Sequence, residues 1–329
     1  MPSCCRKCMP GTEMTLAQAQ EEFATILARL SPSKVPQFFA WIKDGVGTLN
    51  GVEFEEENEA DKKLHQIRKE IKQMVPVEAC FKSEKIIWPQ NGHNFSCQPD
   101  VTVHVDDFLY DEDEVDELVA EGKLQRYYCG DCGSKEVKSL VFITHSMSLV
   151  QLRYIFTHLF PKLGISLDDK VLVDIGSRLG GVLYAAALFC PNIGDAIGIE
   201  MNKDMCDLQT RIVDNYNLWN KINVICDDFR NQKKVFSKAD IVIMNNVFGF
   251  FHTEEEQVKC WKKIREFLKS KTIIVHIPSL WKTVEHLKLG FDIEQWLEQL
   301  DTRNALREFI KENHLPKDAI GILEVWRVR

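Results

Sequence analysis

The chain has 329 residues, of which 45% are apolar, enough for one large domain or two modest ones with a full core. No apolar run approaches the roughly 18 residues that span a bilayer, and MPSCCRKCMPG at the start lacks a secretory apolar stretch; the expectation is an intracellular protein, cytoplasmic or nuclear, with no membrane partner. The net charge of −8 is uneven: residues 1–135 hold 15 Lys+Arg against 24 Asp+Glu, residues 136–329 hold 26 against 25, and no basic tract marks a nucleic-acid footprint.

Residues 1–14 read as a flexible tail. Residues 15–75 read as helical: LAQAQEEFATILARL places Leu16, Phe23, Ile26, Leu27 and Leu30 on one stripe, VPQFFAWIKDGV follows Pro32, and ADKKLHQIRKEIKQMV ends before Pro76. Residues 76–135 change character, with short strand-like pieces (KIIW, VTVHV) and an acidic helical segment, DDFLYDEDEVDELVAEG. That acidity suits a solvated helix, or a docking face for a basic partner.

Eleven scattered cysteines fit free thiols or metal ligands better than a disulfide framework. In YYCGDCGS, Cys129 and Cys132 form a C-x-x-C knuckle flanked by glycines, whose amides can point at thiolate sulfurs. GHNFSC adds His93 and Cys97, giving a Cys₃His set suited to structural, tetrahedral zinc. Cys80 or His104 are the possible substitutes for His93. The module is ribbon-like, split by the acidic insertion.

From residue 136 onward strands and helices alternate: KVLVDIG, DAIGIEMN, INVICDDF, ADIVIMNN and KTIIVHIP as strands, with helices such as SLVQLRYIFTHLF, GGVLYAAALF and EEEQVKCWKKIREFL between them. This predicts an α/β domain over 136–329, a parallel sheet with helices on both faces. AIGILEVWRV reads as a last strand, antiparallel at or near one edge.

Ligands of such sheets sit beyond the carboxyl ends of the strands. The first strand ends at Asp174 and turns through Gly176, Ser177, Arg178 and Gly180. Glu200 ends the second strand, where an acid can accept ribose hydroxyls; Asp227, Asp228 and Phe229 follow the third, and Asn245 and Asn246 the fourth. A glycine turn followed by an acid fits NAD(P) or S-adenosylmethionine. Asp174 ahead of the first glycine, a second acid after the third strand and the paired amides favour the latter. Asn245 offers a carbonyl oxygen to an amine, Phe248 and Phe251 wall a channel, and His145, His252 and His276 are candidate bases.

These strand ends together resemble the class I S-adenosylmethionine-dependent methyltransferase fold, which implies a Rossmann-like sheet, S-adenosyl-L-methionine as cofactor, and Asp174, Gly176, Ser177, Arg178, Gly180, Glu200, Asp228, Phe229 and Asn245 around it. DIGSRLGG is similar to the loop of FtsJ-type RNA 2′-O-methyltransferases, which also lack the central glycine; Arg178 stands in its place, and a guanidinium there can fork onto the cofactor carboxylate. The Asp that those enzymes need on the fourth strand is Asn245 in this chain. VFGFF after Asn245-Asn246, with Glu200 and Asp228-Phe229, partly resembles non-SET histone-lysine methyltransferases of the disruptor-of-telomeric-silencing type, although their substrate-side Tyr and Glu are absent from VFITHSMSLVQLRYIF. That resemblance implies methylation of a protein, on a lysine amine, with Asn245, Asn246 and Phe248 at the reaction centre. RNA methylation and a catalytically inactive binding scaffold are the alternatives.

Overall fold

The structure is a computed structural model and describes residues 15–31, 34, 35, 38, 58–88, 97–125, 127–129, 137–139 and 141–329. Two compact units divide the chain, Met1–Asn58 and Glu59–Arg329. In the first, α1 (Leu16–Arg29) starts at a capping box between Thr15 and Gln18, and Phe23 stacks on Phe38 with 6.0 Å between ring centres. The CCRKC tail and most of VPQFFAWIKDGV lie outside the described residues.

The second unit opens with α2 (Glu59–Lys72), whose apolar stripe of Leu64, Ile67 and Ile71 is buried. Next come β1 (Thr102–His104), α3 (Glu112–Ala120), the antiparallel pair β2 (Tyr127–Cys129) and β3 (Val137–Ser139), and β4 (Val141–Ile143), which pairs with β1 in parallel. The acidic helix α3 is capped by Asp111 and tied down by Glu114, which binds Arg68 and Lys72 of α2, while Glu112, Asp113 and Glu117 stay exposed.

Of the expected zinc ligands, His93, Cys132 and the Cys129 side chain lie outside the described residues, and Cys97 is buried. Cys80 neighbours Glu84 and Arg178, and His104 pairs with His145. No group of three His, Cys, Asp or Glu suited to a metal occurs among the described residues. No helix among them is long and apolar enough to cross a membrane.

A helical run follows: α4 (Leu149–Arg153), a π-helical stretch (Tyr154–Leu159) and α5 (Phe160–Lys162). Then come β5 (Val171–Ile175), α6 (Gly181–Phe189), β6 (Asp195–Glu200), α7 (Lys203–Asn215), β7 (Ile222–Cys226), α8 (Lys233–Phe236), β8 (Ile241–Asn245), α9 (Glu254–Phe267) and β9 (Ile273–Ile277). The chain closes with α10 (Leu280–Val284), α11 (Ile293–Trp296), β10 (Leu297–Leu300), α12 (Arg303–Glu312) and β11 (Glu324–Val328).

Seven strands form one sheet in the order β10-β11-β9-β8-β5-β6-β7, in which β11 runs antiparallel to both its neighbours and the β9-β8-β5-β6-β7 pairs are parallel. Counted from β5, this is 3-2-1-4-5-7-6 with the seventh strand reversed, a Rossmann-like sheet. The last strand is antiparallel and one position in from the edge. The edge strand, β10, is an addition to the strands expected; EQWLEQL has no strand-like apolar run to announce it.

Period-two burial explains the two faces. Leu172, Ile241 and Ile243 join the core that includes α2, α4 and α6, while Val173, Ile175, Val242 and Met244 join the core beneath α9 and α10. Gly198 on β6, opposite Asp174, lies tightly against the β5–α6 loop and α6: a Cβ there would meet Leu183 Cδ1 and Ser177 Oγ at 2.6 Å each. Gly198→Ala is expected to lose about 1–3 kcal/mol of stability through overpacking, measured by chemical or thermal unfolding.

Candidate active site

The carboxyl ends of β5, β6, β7 and β8 surround a cavity of about 370 Å³. This is where an open α/β sheet binds ligands, on either side of the point where strand order reverses. Its lining includes the strand ends (Ile175, Gly176, Arg178, Ile199, Glu200, Asn245), the loop after β8 (Asn246, Val247, Phe248, Phe251, His252), and an N-terminal segment bearing Ser83, Glu84, Lys85 and Ile87. Met201, Asn202, Met205, Asp227, Phe229, His145 and Glu256 complete it.

The loop after β5 is bent by left-handed residues. Gly176 (φ +70) lines the cavity, and a Cβ there would meet only Val247 Cγ1 at 3.7 Å, so its missing side chain leaves room for a ligand. Gly180 (φ +83) is needed for packing instead, because a Cβ would strike the Tyr184 ring. Arg178 (φ +43) is left-handed without being glycine. Its backbone explains why: the N–H donates to Glu200 at 3.0 Å, and the carbonyl accepts from Gln209 Nε2 at 2.7 Å.

Arg178 lines the cavity, and its guanidinium, expected to fork onto a cofactor carboxylate, is held by the chain itself. Its guanidinium donates to Glu84 Oε1 at 2.5 Å and to the Ala79 carbonyl at 2.9 Å. Both members of the ion pair are buried, at 8% and 6% side-chain exposure. Burial opposes the charge on Arg178, and Glu84 and Asp106 outweigh it and hold the guanidinium protonated.

The segment carrying Glu84 is fastened elsewhere too. Ser83 Oγ donates to Asp204 at 2.5 Å and accepts from Asn202 Nδ2 at 2.9 Å, and the Ile87 N–H donates to the Phe250 carbonyl at 2.6 Å. Sequence patterning reads only KIIW here, as a strand-like piece, whereas the backbone of the whole segment is irregular. Irregular backbone held by side chains has no periodicity to read.

The acids divide by role. Glu200 accepts from the Arg178 and Asn202 N–H groups yet lines the cavity, so its remaining lone pairs can serve a ligand; burial pushes its carboxyl up. Asp174 is buried outside the lining and accepts no side-chain hydrogen bond among the described residues; burial and the Glu200 charge push its carboxyl well up. Asp228 does not line the cavity and is clamped by Arg230, which holds its carboxyl down against the effect of burial. Its neighbour Asp227 lines the cavity, bound by Asn231 and Gln232. Ser177 is outside the lining and donates to Gln209 at 2.9 Å.

Asn245 and Asn246 both line the cavity with side chains that make no hydrogen bond among the described residues, leaving their amides open to a ligand. Phe248 is buried among Phe229, Trp261 and His252, with ring centres 5.6–5.8 Å away. His145 and His252 line the cavity, whereas His276 is buried outside the lining with Nδ1 2.6 Å from the Pro278 carbonyl.

No family model and no curated protein sequence matches the chain. Among solved structures it is similar to an RNA methyltransferase from Salinibacter ruber in complex with S-adenosyl-L-homocysteine, at 15% identity over 53% of this chain and 88% of that one, with a TM-score of 0.32. It is also similar to a methyltransferase from Geobacter sulfurreducens, at 14% identity over 55% and 77%, with a TM-score of 0.33.

Glu84→Gln and Arg178→Met should each cost about 3–5 kcal/mol, since each leaves a buried partner uncompensated. The double variant should cost clearly less than the sum of the two, a coupling that denaturant unfolding of all four proteins reads directly.

Proposed function

We propose that this chain binds S-adenosyl-L-methionine in the cavity and transfers its methyl group. The observation that carries the reading is the convergence on one cavity of Gly176, Glu200, Asn245 and Asn246 from neighbouring strand ends, with Asp174 behind the lining as a buried carboxyl that has no hydrogen-bond partner among the described residues. Such a group is unfavourable alone and is relieved by a cation placed next to it. An amino acid ammonium is such a cation. Gly176 leaves the space along the loop, the free lone pairs of Glu200 suit vicinal hydroxyls, and Ile199, Met201, Met205 and Phe229 give an apolar slot for a flat base with Asp227 at its rim.

When bound, the cofactor supplies a methyl group on a sulfonium, an electrophile that needs no activation by the protein. The chain's own contribution is positioning and exclusion of water, with Asn245 and Asn246 presenting amides and Phe251 a wall. A protein acceptor with a lysine amine rests on the resemblance of the run Asn245–Phe251; RNA is the other acceptor class, and transfer of label into protease- or RNase-sensitive material separates them. A structural zinc held by His93, Cys97, Cys129 and Cys132 belongs to the same reading of the N-terminal region. Elemental analysis is expected to find one zinc per chain, lost in Cys129→Ser.

Calorimetry should detect S-adenosylmethionine binding by the full chain, and its absence in a folded sample ends the enzyme reading. Asp174→Asn should weaken binding by about 1.5–3 kcal/mol, roughly 10- to 100-fold. The same variant should be more stable than the parent at neutral pH. A carboxyl raised in the folded state costs stability as pH climbs from about 3.9, its unfolded value, through the folded value. Thermal unfolding across that range should show the parent losing ground and the variant not.

A further inference from the structure

Lys82–Ile87 is a single layer of chain between the cavity and water. Ser83, Lys85 and Ile87 are exposed to solvent, yet each of them lines the cavity, as Glu84 does from its buried position. No helix or strand stiffens these residues. Among the described residues, one backbone hydrogen bond ties them to a distant part of the fold, from the Ile87 N–H to the Phe250 carbonyl at 2.6 Å. The other ties come from two side chains, Ser83 on Asn202 and Asp204, and Glu84 on Arg178. Phe81 packs on the core, but Ile86 and Ile87 join neither core cluster, and Ile87 is 36% exposed. Upstream, Ala79 is fully buried with a left-handed backbone (φ +49), and its carbonyl accepts from Arg178.

We propose that Lys82–Ile87 is a gate over the cavity, anchored at Ala79 and Phe81, with the Glu84–Arg178 ion pair as its latch. Opening it admits and releases the ligand, and closing it shuts out water. The inference rests on the methyltransferase reading for the identity of that ligand, and adds the control of its exchange. All the ties end on loops beyond the carboxyl ends of the strands: Arg178 after β5, Asn202 and Asp204 after β6, and Phe250 after β8. A closed gate therefore holds three ligand-facing loops together at once.

The latch resists the loss of one ion but not the parting of both. Deleting either charge strands the other in a dry site, whereas opening returns water to the two together and recovers the desolvation that closing cost. The ties of Ser83 are exposed, so water replaces them when the segment lifts. Little apolar surface is lost from the core, because Ile86 and Ile87 are not part of it. A segment with few apolar contacts opens locally at a small fraction of the free energy of global unfolding. Ala79 suits the base of such a gate: a left-handed alanine is strained, and strain of this kind collects where a chain switches between arrangements. A ligand in the cavity touches the closed gate and not the open one, so its binding shifts the balance towards closure. Product must leave after each transfer, and its release then runs no faster than the gate opens.

Hydrogen exchange of the full chain without ligand tests the opening directly. The Ile87 amide should exchange at least about 10³-fold faster than the amides of β8, and saturating S-adenosylhomocysteine should slow it about tenfold or more. Equal protection of Ile87 and β8 overturns the gate. A locked gate tests the exchange of ligand. Ser83→Cys with Asp204→Cys places thiols where Oγ and Oδ2 lie 2.5 Å apart, and Asp204 is outside the cavity lining. With the disulfide formed and located by peptide mapping, uptake of S-adenosylhomocysteine in stopped flow should be about 10²-fold slower than in the same variant reduced, while the parent given the same oxidant keeps its rate. Uptake by the locked chain at the reduced rate overturns the gate and leaves the methyltransferase reading standing. A folded parent that binds no S-adenosylhomocysteine overturns both.

Discussion

The guanidinium of Arg178 ends between the Glu84 carboxylate and the Ala79 carbonyl, away from bulk water. A charge in that position persists only with its partners in place, since the desolvation cost of either ion alone exceeds what neighbouring dipoles return. The partners lie nearly a hundred residues upstream, so the pair forces Ala79–Trp88 against the end of β5. With Ser83 tied to Asn202 and Asp204, and Ile87 to Phe250, that segment becomes one wall of the cavity. The cavity therefore exists as a product of two parts of the sequence that share no periodic element.

The same residue resolves the problem of a non-glycine in the turn. A left-handed arginine is strained, and the strain is held by the hydrogen bonds of its backbone to Glu200 and Gln209 and by the direction of its side chain. Gly176 and Arg178 of this turn both line the cavity, and Gly176 leaves room there. The turn thus carries, at Arg178, a residue that anchors a wall of the cavity.

Asp106 extends the arrangement. Its buried carboxylate accepts from Ser146, Phe108 and Leu109 and adds its charge to the environment of Arg178. Phe108 in turn packs where a Cβ on Gly181 would sit at 2.9 Å, so the start of α6 is fitted to this loop. Ser146 is next to His145, and β1, which carries His104, pairs with β4 just before it. The region ahead of the sheet therefore supplies the histidines and the cover, and the sheet supplies the acids and amides.

Much of this domain was legible from local pattern. Alternating buried strands and amphipathic helices have a period, so β5 to β9 and the helices α6, α7 and α9 could be read from it, and strand ends in such a sheet are where Gly176, Glu200, Asn245 and Asn246 line the cavity. β10 escaped because EQWLEQL is short and half polar. Asp227 rather than Asp228 lines the cavity because an extended chain alternates its faces, and Arg230 is close enough to capture the second acid. The sequence by itself determined the sheet, its order of helices and the set of polar residues at its carboxyl edge, since these follow from hydrophobic period and short connections. Only the tertiary structure decided where Arg178 points, which segment covers the cavity and that His104 meets His145. Those depend on ion pairs and hydrogen bonds between residues far apart in the chain, and such contacts leave no periodic trace in the sequence.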